Sequence, residues 1–345
     1  MDKKKLITSL VFIIIVGAVI ISLTVSKKSY AVGTTLVDTV KALNKGSSWS
    51  AGASGVYYTN SHEYRYVGAE VNNYVKFNND LYRIIGVFDS NSHGVTGTEL
   101  VKLIRARSLG GYSWGAYNTD NSAGTYSGYA NDWTGKSKTS KANLNVLLNE
   151  YFYNKTDTSS TYGDCANWTY YQSNNSYKTK DCSDIITYGI DSSLRGYIET
   201  ATWYLNGSGT NQSKQNWYLC ERGGNSCTSS GPSTGDTSVT SKVGLMYLSD
   251  YLYASGYYAS TDTTIQGNSY YGNKNWLYKG YEWTQTPYAS GADRVWSVYY
   301  GSASYSNSYF PYGSRPTFYL KSSVYVTGGN GSFDNPYTLG CDNCS

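Results

Sequence analysis

The chain has few histidines and lacks the phosphate-binding motif of P-loop enzymes. Only two histidines occur among 345 residues, His62 in "TNSHEY" and His93 in "SNSHGV". Both lie in Ser/Asn-rich segments, which predict turns with solvated side chains. The motif G-x-x-x-x-G-K-[ST] is absent. The sequence therefore gives no support for a phosphate-binding P-loop, and with only two histidines, both in predicted turns, no Ser–His pair can be assigned from it.

Charged residues are also scarce, at 15% of the chain, and their balance changes along it. Residues 1–31 hold five of the 28 basic residues and one of the 24 acidic residues, which leaves 23 of each in residues 32–345. The body of the protein thus has no formal net charge. Because binding to a phosphate backbone requires a basic surface, we predict no nucleic-acid partner.

The basic excess belongs to an N-terminal export segment. Three lysines precede the uncharged run "LITSLVFIIIVGAVIISLTV", and "KKSYA" follows it. Small residues near Ala31 suit cleavage by a signal peptidase, whereas twenty apolar residues suffice to span a bilayer. Residues 1–31 are therefore predicted to be either a cleaved signal peptide or a retained membrane anchor. Either would place the rest of the chain outside the cytoplasm, secreted or held at the cell surface.

Six cysteines follow the export segment. An even number of cysteines in an exported chain favours disulfides, and neighbours in this sequence would close short loops in polar, turn-rich segments. The spacing of "CDNC" at 341–344 also fits half a zinc site, although no second such pair and no nearby histidine accompany it. We predict three local disulfides: Cys165–Cys182, Cys220–Cys227 and Cys341–Cys344.

The pattern of apolar residues predicts strands at both ends of the body and helices between them. Residues 32–60 read as a short helix and a Ser/Gly-rich spacer. Alternation then predicts strands in "YRYVGAE", "NNYVKFNNDLYRIIGVFD" and "TELVKLIRARSLG", with "FNND" as a hairpin turn. Helical periods occur in "SKANLNVLLNEYFYN", "SSLRGYIETATWYLNG" and "VGLMYLSDYLYAS". Strands return in "NWLYKGYEWTQTP", "DRVWSVYYGSAS" and "SRPTFYLKSSVYVTGG".

This order of elements predicts a single α+β domain over residues 61–340. Its first and last strands are expected to share an antiparallel sheet, with a few helices packed against it. Residues 341–345 would form a short CxxC tail. No fixed-period repeat is present, so a solenoid or propeller is not predicted.

Tyrosine is the residue in excess, with 39 Tyr against 7 Phe. Neighbouring strand positions point to opposite faces of a sheet, so pairs of adjacent tyrosines must expose some phenols to water. Tyrosine with Ser, Gly and Asn is the composition of binding loops, although tyrosines can also fill half-buried strand positions. We predict a ligand-binding face, with two tryptophans as packing or stacking platforms, formed by Tyr299, Tyr300, Tyr305, Tyr309, Tyr312, Trp283 and Trp296.

Several motifs, in order along residues 65–340, resemble a family of exported domains of unknown function from low-GC Gram-positive bacteria. They include "YVKFNNDLYRIIGVFD", "VKLIRARSLGGYSW", "NLNVLLNEYFY" and "VTGGNGSFDNPYTL". A weaker resemblance concerns the fold, because "EWTQTP", "RVWSVYYGS" and "GSRPTFYL" look like the end of C-type-lectin-like domains of the formylglycine-generating type. It implies a C-type-lectin-like α+β domain. The matching positions are Glu282, Trp283, Arg294, Val295 and Arg315.

The lectin-like resemblance bears on function in two ways. The oxidase of that fold uses a cysteine pair near its last arginine-bearing strand, but here Pro316 follows Arg315 and the nearest cysteines are Cys341 and Cys344. The non-enzymatic branch of the fold displays Tyr-rich binding surfaces, which this chain resembles more closely. The leading hypothesis is therefore a non-catalytic module that binds an extracellular glycan or protein.

Two other functions compete with this hypothesis. The first is an exported enzyme, either a glycan hydrolase or a degenerate relative of the formylglycine-generating oxidases. In a glycan hydrolase, Glu282 would be the acid, with Asp250 or Asp293 as its partner, since two carboxylates suffice and aromatic neighbours raise a pKa. Glu282 could instead form an ion pair with Arg294 or Arg315. A structural part of the cell envelope is the third hypothesis. No cofactor is predicted, although "NTDNSAG" and "SFDNP" offer oxygens for calcium.

Overall fold

The structure is a computed structural model. The predicted export segment lies outside the residues that it describes, as do Tyr309, Cys165, Cys182 and Cys227. Within the described part of the chain, no helix is both long enough and apolar enough to cross a membrane. The described residues are 33–50, 52–114, 133, 144–155, 158–159, 163–164, 168–171, 177–180, 183–224, 237–256, 274–291, 293–308 and 310–344.

The protein is a mixed α+β protein built mainly from antiparallel sheets. The first six strands are β1 Gly55–Tyr58, β2 Tyr64–Val67, β3 Tyr74–Phe77, β4 Asp80–Phe88, β5 Leu100–Arg105 and β6 Gly111–Tyr112. The middle strands are β7 Thr158–Ser159, β8 Gly163–Asp164, β9 Trp168–Tyr171, β10 Tyr177–Lys180, β11 Ala201–Tyr204 and β12 Ser238–Ser241. The last are β13 Glu282–Pro287, β14 Arg294–Tyr299, β15 Ser302–Asn307, β16 Tyr312–Gly313, β17 Thr317–Leu320, β18 Tyr325–Gly328 and β19 Thr338–Gly340.

The helices are short and lie between or beside the strands. A π-helix, Leu147–Tyr153, continues directly from one of them and buries Leu148 and Phe152. The α-helices are α1 Leu36–Lys41, α2 Ser90–His93, α3 Leu144–Val146, α4 Ser183–Thr187, α5 Ser192–Arg195, α6 Lys214–Glu221 and α7 Leu248–Tyr253.

The larger sheet joins the two ends of the domain. Its strand order is β1-β2-β4-β5-β17, and β3 also pairs with β4. The late strand β17 pairs antiparallel with β5 and places Phe318 opposite Leu103. All six residues of β5 and all four of β17 are buried, as expected of strands covered on both faces. The prediction that early and late strands share an antiparallel sheet is confirmed.

The turn predicted at "FNND" is present between β3 and β4. Phe77 pairs with Asp80, so the loop consists of Asn78 and Asn79. Their φ angles are 55° and 56°. Two residues with positive φ are the mark of a type I′ turn, which follows the right-handed twist of paired strands and favours asparagine.

The smaller sheet carries the tyrosine-rich C-terminal strands. Its order is β15-β14-β13-β16-β6, with β13 and β16 parallel and the other neighbours antiparallel. Both sheets contribute to one hydrophobic core, in which Trp114, Trp283 and Trp296 are fully buried. The core thus fixes the position of β13 and β14, which present the candidate site.

The segment expected to be a spacer packs onto the domain. Helix α1 begins after Thr35, whose hydroxyl accepts a hydrogen bond from the backbone N–H of Asp38. Leu36 and Val40 are buried in the main core, and β1 pairs with β2 along its whole length. An apolar stripe predicts a helix but does not show what the stripe packs against. The described residues 33–50 and 52–58 therefore include a helix and a strand that pack on the rest of the described chain.

Two predictions, one for a helix and one for the burial of His93, differ from the structure. In "SSLRGYIETATWYLNG" only α5 is helical, and the part with Thr202 and Trp203 forms β11, whose alternating burial suits β-branched and aromatic residues. His93, expected in solvent, is buried at the end of α2, where Nε2 donates to the Phe88 carbonyl at 3.1 Å. Burial lowers the pKa of His93. His62 is exposed in a turn, as predicted.

Candidate functional site

The hairpin of β14 and β15 has an unusual residue in its turn. Tyr299 pairs with Ser302, so the loop is Tyr300–Gly301, with φ angles of 47° and 78°. Both positions favour Gly, Asn or Asp, because a bulky side chain at positive φ is strained. Tyr300 is nonetheless the residue here, and its side chain is 60% exposed. The turn thus combines an unfavourable backbone conformation with an exposed aromatic side chain.

Four tyrosines meet beside this turn, and we refer to Tyr281, Tyr299, Tyr300 and Tyr312 as the tyrosine cluster. The rings of Tyr281 and Tyr299 stack with centroids 4.5 Å apart. The ring of Tyr300 packs edge-on against both, at 4.9 Å and 4.6 Å. Tyr312 is half-buried and lies 6.0 Å from Tyr281. The other three are exposed, so the cluster forms one aromatic surface.

Trp283 packs beneath the tyrosine cluster, whereas Trp296 is buried on the opposite face of β14. Trp283 lies under Tyr312, with ring centroids 4.7 Å apart, and donates from Nε1 to the Tyr112 carbonyl at 2.8 Å. Trp296 donates in the same way to the Ser208 carbonyl at 2.8 Å. Both are fully buried with their N–H groups paired. Both side chains therefore pack inside the domain.

Serine hydroxyls lie on the same face of the sheet as Tyr299. Ser297 is two residues away on β14 and pairs with Ser304 on β15, which places their side chains on that face. Ser306 donates to the Tyr312 hydroxyl at 3.0 Å. Partial burial and the hydroxyls of Tyr300 and Tyr299 raise the pKa of Tyr281, and burial raises that of Tyr312. These phenols are therefore neutral at physiological pH.

The predicted tyrosines divide between two faces. Tyr305 pairs with Trp296 on the face opposite to Tyr299, where its ring stacks on Tyr288 at 4.2 Å and lies 5.4 Å from the Arg294 guanidinium. Three predicted residues, Tyr299, Tyr300 and Tyr312, come together, and Tyr305 does not join them. Tyr309 lies outside the described residues.

The cluster also contains a residue that the sequence analysis missed. Tyr281 immediately precedes β13, and Glu282 pairs with Val298 on β14. This register brings Tyr281 next to Tyr299. Tyr281 could have been identified only by knowing that β13 and β14 are neighbours, because the sequence separates the two tyrosines by 18 positions.

Glu282 is held in a buried ion pair. Its Oε1 lies 2.7 Å from Arg315 Nε, and its Oε2 accepts from Arg315 Nη2 at 2.7 Å. Burial raises the pKa of Glu282, and the charge of Arg315 acts in the opposite direction. Asp293 lies 3.9 Å from Arg294 in a half-exposed pair. Glu282 thus has the ion-pair geometry that competes with a role as a catalytic acid.

Asp250 belongs to a different group, which we name the buried charge cluster. Its two oxygens accept from Arg65 at 2.8 Å and from Lys102 at 2.6 Å. Ser92 connects two further charged residues, since it donates to Glu63 and accepts from Arg222 Nε at 3.0 Å. Three charges of each sign balance in the cluster, whose members are Glu63, Arg65, Lys102, Glu221, Arg222 and Asp250.

Burial and neighbouring charges shift the pKa values of Asp250, Lys102 and Glu221. Burial disfavours the charged form of Asp250, but Lys102 and Arg65 outweigh that effect and lower its pKa to about 2. Burial lowers the pKa of Lys102 to about 8, against the attraction of Asp250. Burial also raises the pKa of Glu221, which accepts from Thr286 at 2.7 Å. The sequence analysis did not find this cluster, whose only signal was charged residues within apolar strands.

The cysteines agree with the prediction where the structure describes them. Cys341 and Cys344 form a disulfide, as predicted, so their sulfurs are not thiolates available to zinc. Cys220 is disulfide-bonded as well, and its partner lies outside the described residues. Within the described part of the chain, no group of three or more His, Cys, Asp or Glu side chains is placed to hold a metal ion.

Comparison with known proteins adds no relative. No protein-family model, curated protein or solved structure matches the chain. The two resemblances that the motifs suggest remain predictions.

Proposed function

We propose that the chain is an exported, non-catalytic binding module with a C-type-lectin-like fold, secreted or held at the cell surface, which recognises a glycan through the tyrosine cluster. The observation that carries the proposal is the exposed group of Tyr281, Tyr299 and Tyr300 around a strained turn. Tyrosine gives a large amphipathic contact area at low entropic cost, and such surfaces are typical of recognition sites.

A glycan suits this surface better than a charged ligand. The rings and the adjacent hydroxyls of Ser297, Ser304 and Ser306 are uncharged, and a sugar presents apolar C–H faces together with hydroxyl groups. The ion pair of Glu282 with Arg315 supports a non-catalytic role, because a paired and buried carboxylate is poorly suited to proton transfer. A neutral protein surface is the other ligand class that the cluster could bind.

A glycan array tests the proposal. Full-length wild-type chain is compared with a triple variant, Tyr281→Ser, Tyr299→Ser and Tyr300→Ser. The matched control is Tyr305→Ser, which removes an exposed ring from the opposite face of the same hairpin. We expect the triple variant to lose binding at least tenfold and the control to retain it. Full retention by the triple variant would show that the cluster is not the binding face.

A further inference from the structure

A polar cleft of about 610 Å³ lies between the start of β3 and the segment that precedes β13. One wall comes from the residues before β3 and from β3 itself, including Glu70 and Tyr74. The other wall comes from the segment that leads to β13, including Trp276 and Lys279, and Phe333 reaches in from the loop after β18. Its volume lies within the range of small-molecule sites. None of the four tyrosines of the cluster lines it.

The cleft is built around a buried arginine. Arg83 is 4% exposed and donates to Asn73 Oδ1 at 2.7 Å, to the Trp276 carbonyl at 3.0 Å and to the Val71 carbonyl at 3.3 Å. A guanidinium has five N–H groups, so about two remain after these bonds. Among the described residues, no carboxylate lies within 4 Å of it. Arg83 is thus a fixed cation with about two N–H groups left for a ligand, and no described carboxylate lies within ion-pair distance of it.

Aromatic rings hold the guanidinium in place. The ring centroids of Tyr74 and Trp276 lie 4.3 Å and 4.5 Å from its central carbon. Phe333 packs edge-on against Tyr74, with centroids 5.5 Å apart, and remains 62% exposed. An exposed phenylalanine at the rim of a polar cleft offers a stacking surface, which a hydrated loop would not otherwise need.

The charges that line the cleft are predominantly positive. Two cations, Arg83 and Lys279, line the cleft together with one carboxylate, Glu70. Glu282 does not line the cleft and is paired with Arg315. Burial lowers the pKa of Arg83 to about 10, and Arg315 contributes to this. Burial and the charges of Arg83 and Arg315 also lower the pKa of Lys279. Both shifts have the direction expected of a site where an anion would be stabilised.

We propose that this cleft binds a carboxylate-bearing sugar. The carboxylate accepts hydrogen bonds from the remaining N–H groups of Arg83 and from the ammonium of Lys279. Such charge-assisted hydrogen bonds are stronger than those between neutral groups. The sugar ring packs against Phe333 and Tyr74. A planar anion without a sugar ring would leave Phe333 uncovered, and a neutral sugar would leave the two cations uncompensated.

The proposal does not depend on the function assigned to the tyrosine cluster. Lys279 and Tyr281 are two residues apart, so their Cα atoms are separated by at most about 7 Å. Successive sugars of one acidic chain could therefore occupy both sites. The cleft can also bind its sugar when the cluster is altered, and the two proposals can fail separately.

The test measures binding of D-glucuronate, D-glucose and acetate to the full-length chain by calorimetry or ligand-observed NMR at low salt. We expect glucuronate to bind at least tenfold more tightly than either glucose or acetate. Lys279→Met and Phe333→Ala should each weaken glucuronate binding at least fivefold. The matched control is Lys76→Met, an exposed lysine on β3 that does not line the cleft, and it should leave the affinity unchanged.

Several results would overturn the proposal. Equal affinity for glucose would remove the role of the carboxylate, and equal affinity for acetate would remove that of the sugar ring. Unchanged binding by Lys279→Met would place the anion elsewhere. Lys279 and Phe333 are exposed, so their variants are expected to fold, and thermal unfolding checks this. The triple tyrosine variant should still bind glucuronate, which separates this site from the cluster.

Discussion

The buried charge cluster places charged side chains in the interior, whereas the tyrosine cluster places neutral rings at the surface. Around Asp250, six charged side chains lie inside the domain, each with partners, and the pKa values of Asp250 and Lys102 are shifted. Around Tyr300, neutral rings lie at the surface on a strained turn. Shifted pKa values often indicate an active site, but ion-pair networks produce them as well. The titratable groups of the buried charge cluster hold the fold together, whereas the exposed rings of the tyrosine cluster carry no charge.

The largest effect should come from breaking the buried half of this comparison. Asp250→Asn leaves Lys102 and Arg65 buried without the anion that both contact. Loss of one partner from a buried ion pair costs about 3–5 kcal/mol. We therefore expect the free energy of unfolding to fall by about that amount, as measured by urea denaturation.

The matched control for this variant is Asp293→Asn. Asp293 lies 3.9 Å from Arg294 in a half-exposed pair, and pairs of this kind contribute about 0–1 kcal/mol. If both variants lose the same small amount of stability, the charges around Asp250 are not the structural element that their burial indicates.

The acid response of Asp250 should be the next largest effect. Its pKa in the folded chain, about 2, lies below its ordinary value of 3.8. The unfolded chain therefore takes up the proton first, and stability from this group is present above about pH 4 and lost as the pH falls toward 2. The loss should be about 2 kcal/mol. Carboxyl-carbon NMR of the folded protein should show the Asp250 signal titrating near pH 2, and a midpoint near 4 would contradict this.

Local features were predicted well from the sequence. The turn at Asn78 and Asn79 and the disulfide of Cys341 with Cys344 depend on residues that are close in sequence. The strand predicted in "DRVWSVYYGSAS" is also present, as β14 and the start of β15. In each case the interaction that decides the structure lies within a few residues of the pattern.

The contacts that the sequence did not reveal join distant parts of the chain. Asp250 meets Lys102 across 148 positions and Arg65 across 185. Tyr305 was placed with Tyr299 because both lie in one tyrosine-rich stretch, yet the pleat of β15 directs it to the other face. Sheet order and pairing decide such contacts, and no periodic pattern in a single sequence encodes them.

The smallest expected effect would sharpen the surface half of the comparison. Tyr300 has a φ of 47°, a region in which asparagine is favoured and tyrosine is strained. Tyr300→Asn should therefore leave the free energy of unfolding unchanged or raise it by about 0.5 kcal/mol, because relief of strain offsets the lost ring contacts. The same variant should weaken ligand binding. Tyr305→Asn, on the same hairpin without positive φ, should lower stability by about 1 kcal/mol, since its ring packs on Tyr288. If Tyr300→Asn destabilises the protein as much as Tyr305→Asn, the ring of Tyr300 serves the fold, and the strained turn gives no evidence of selection for binding.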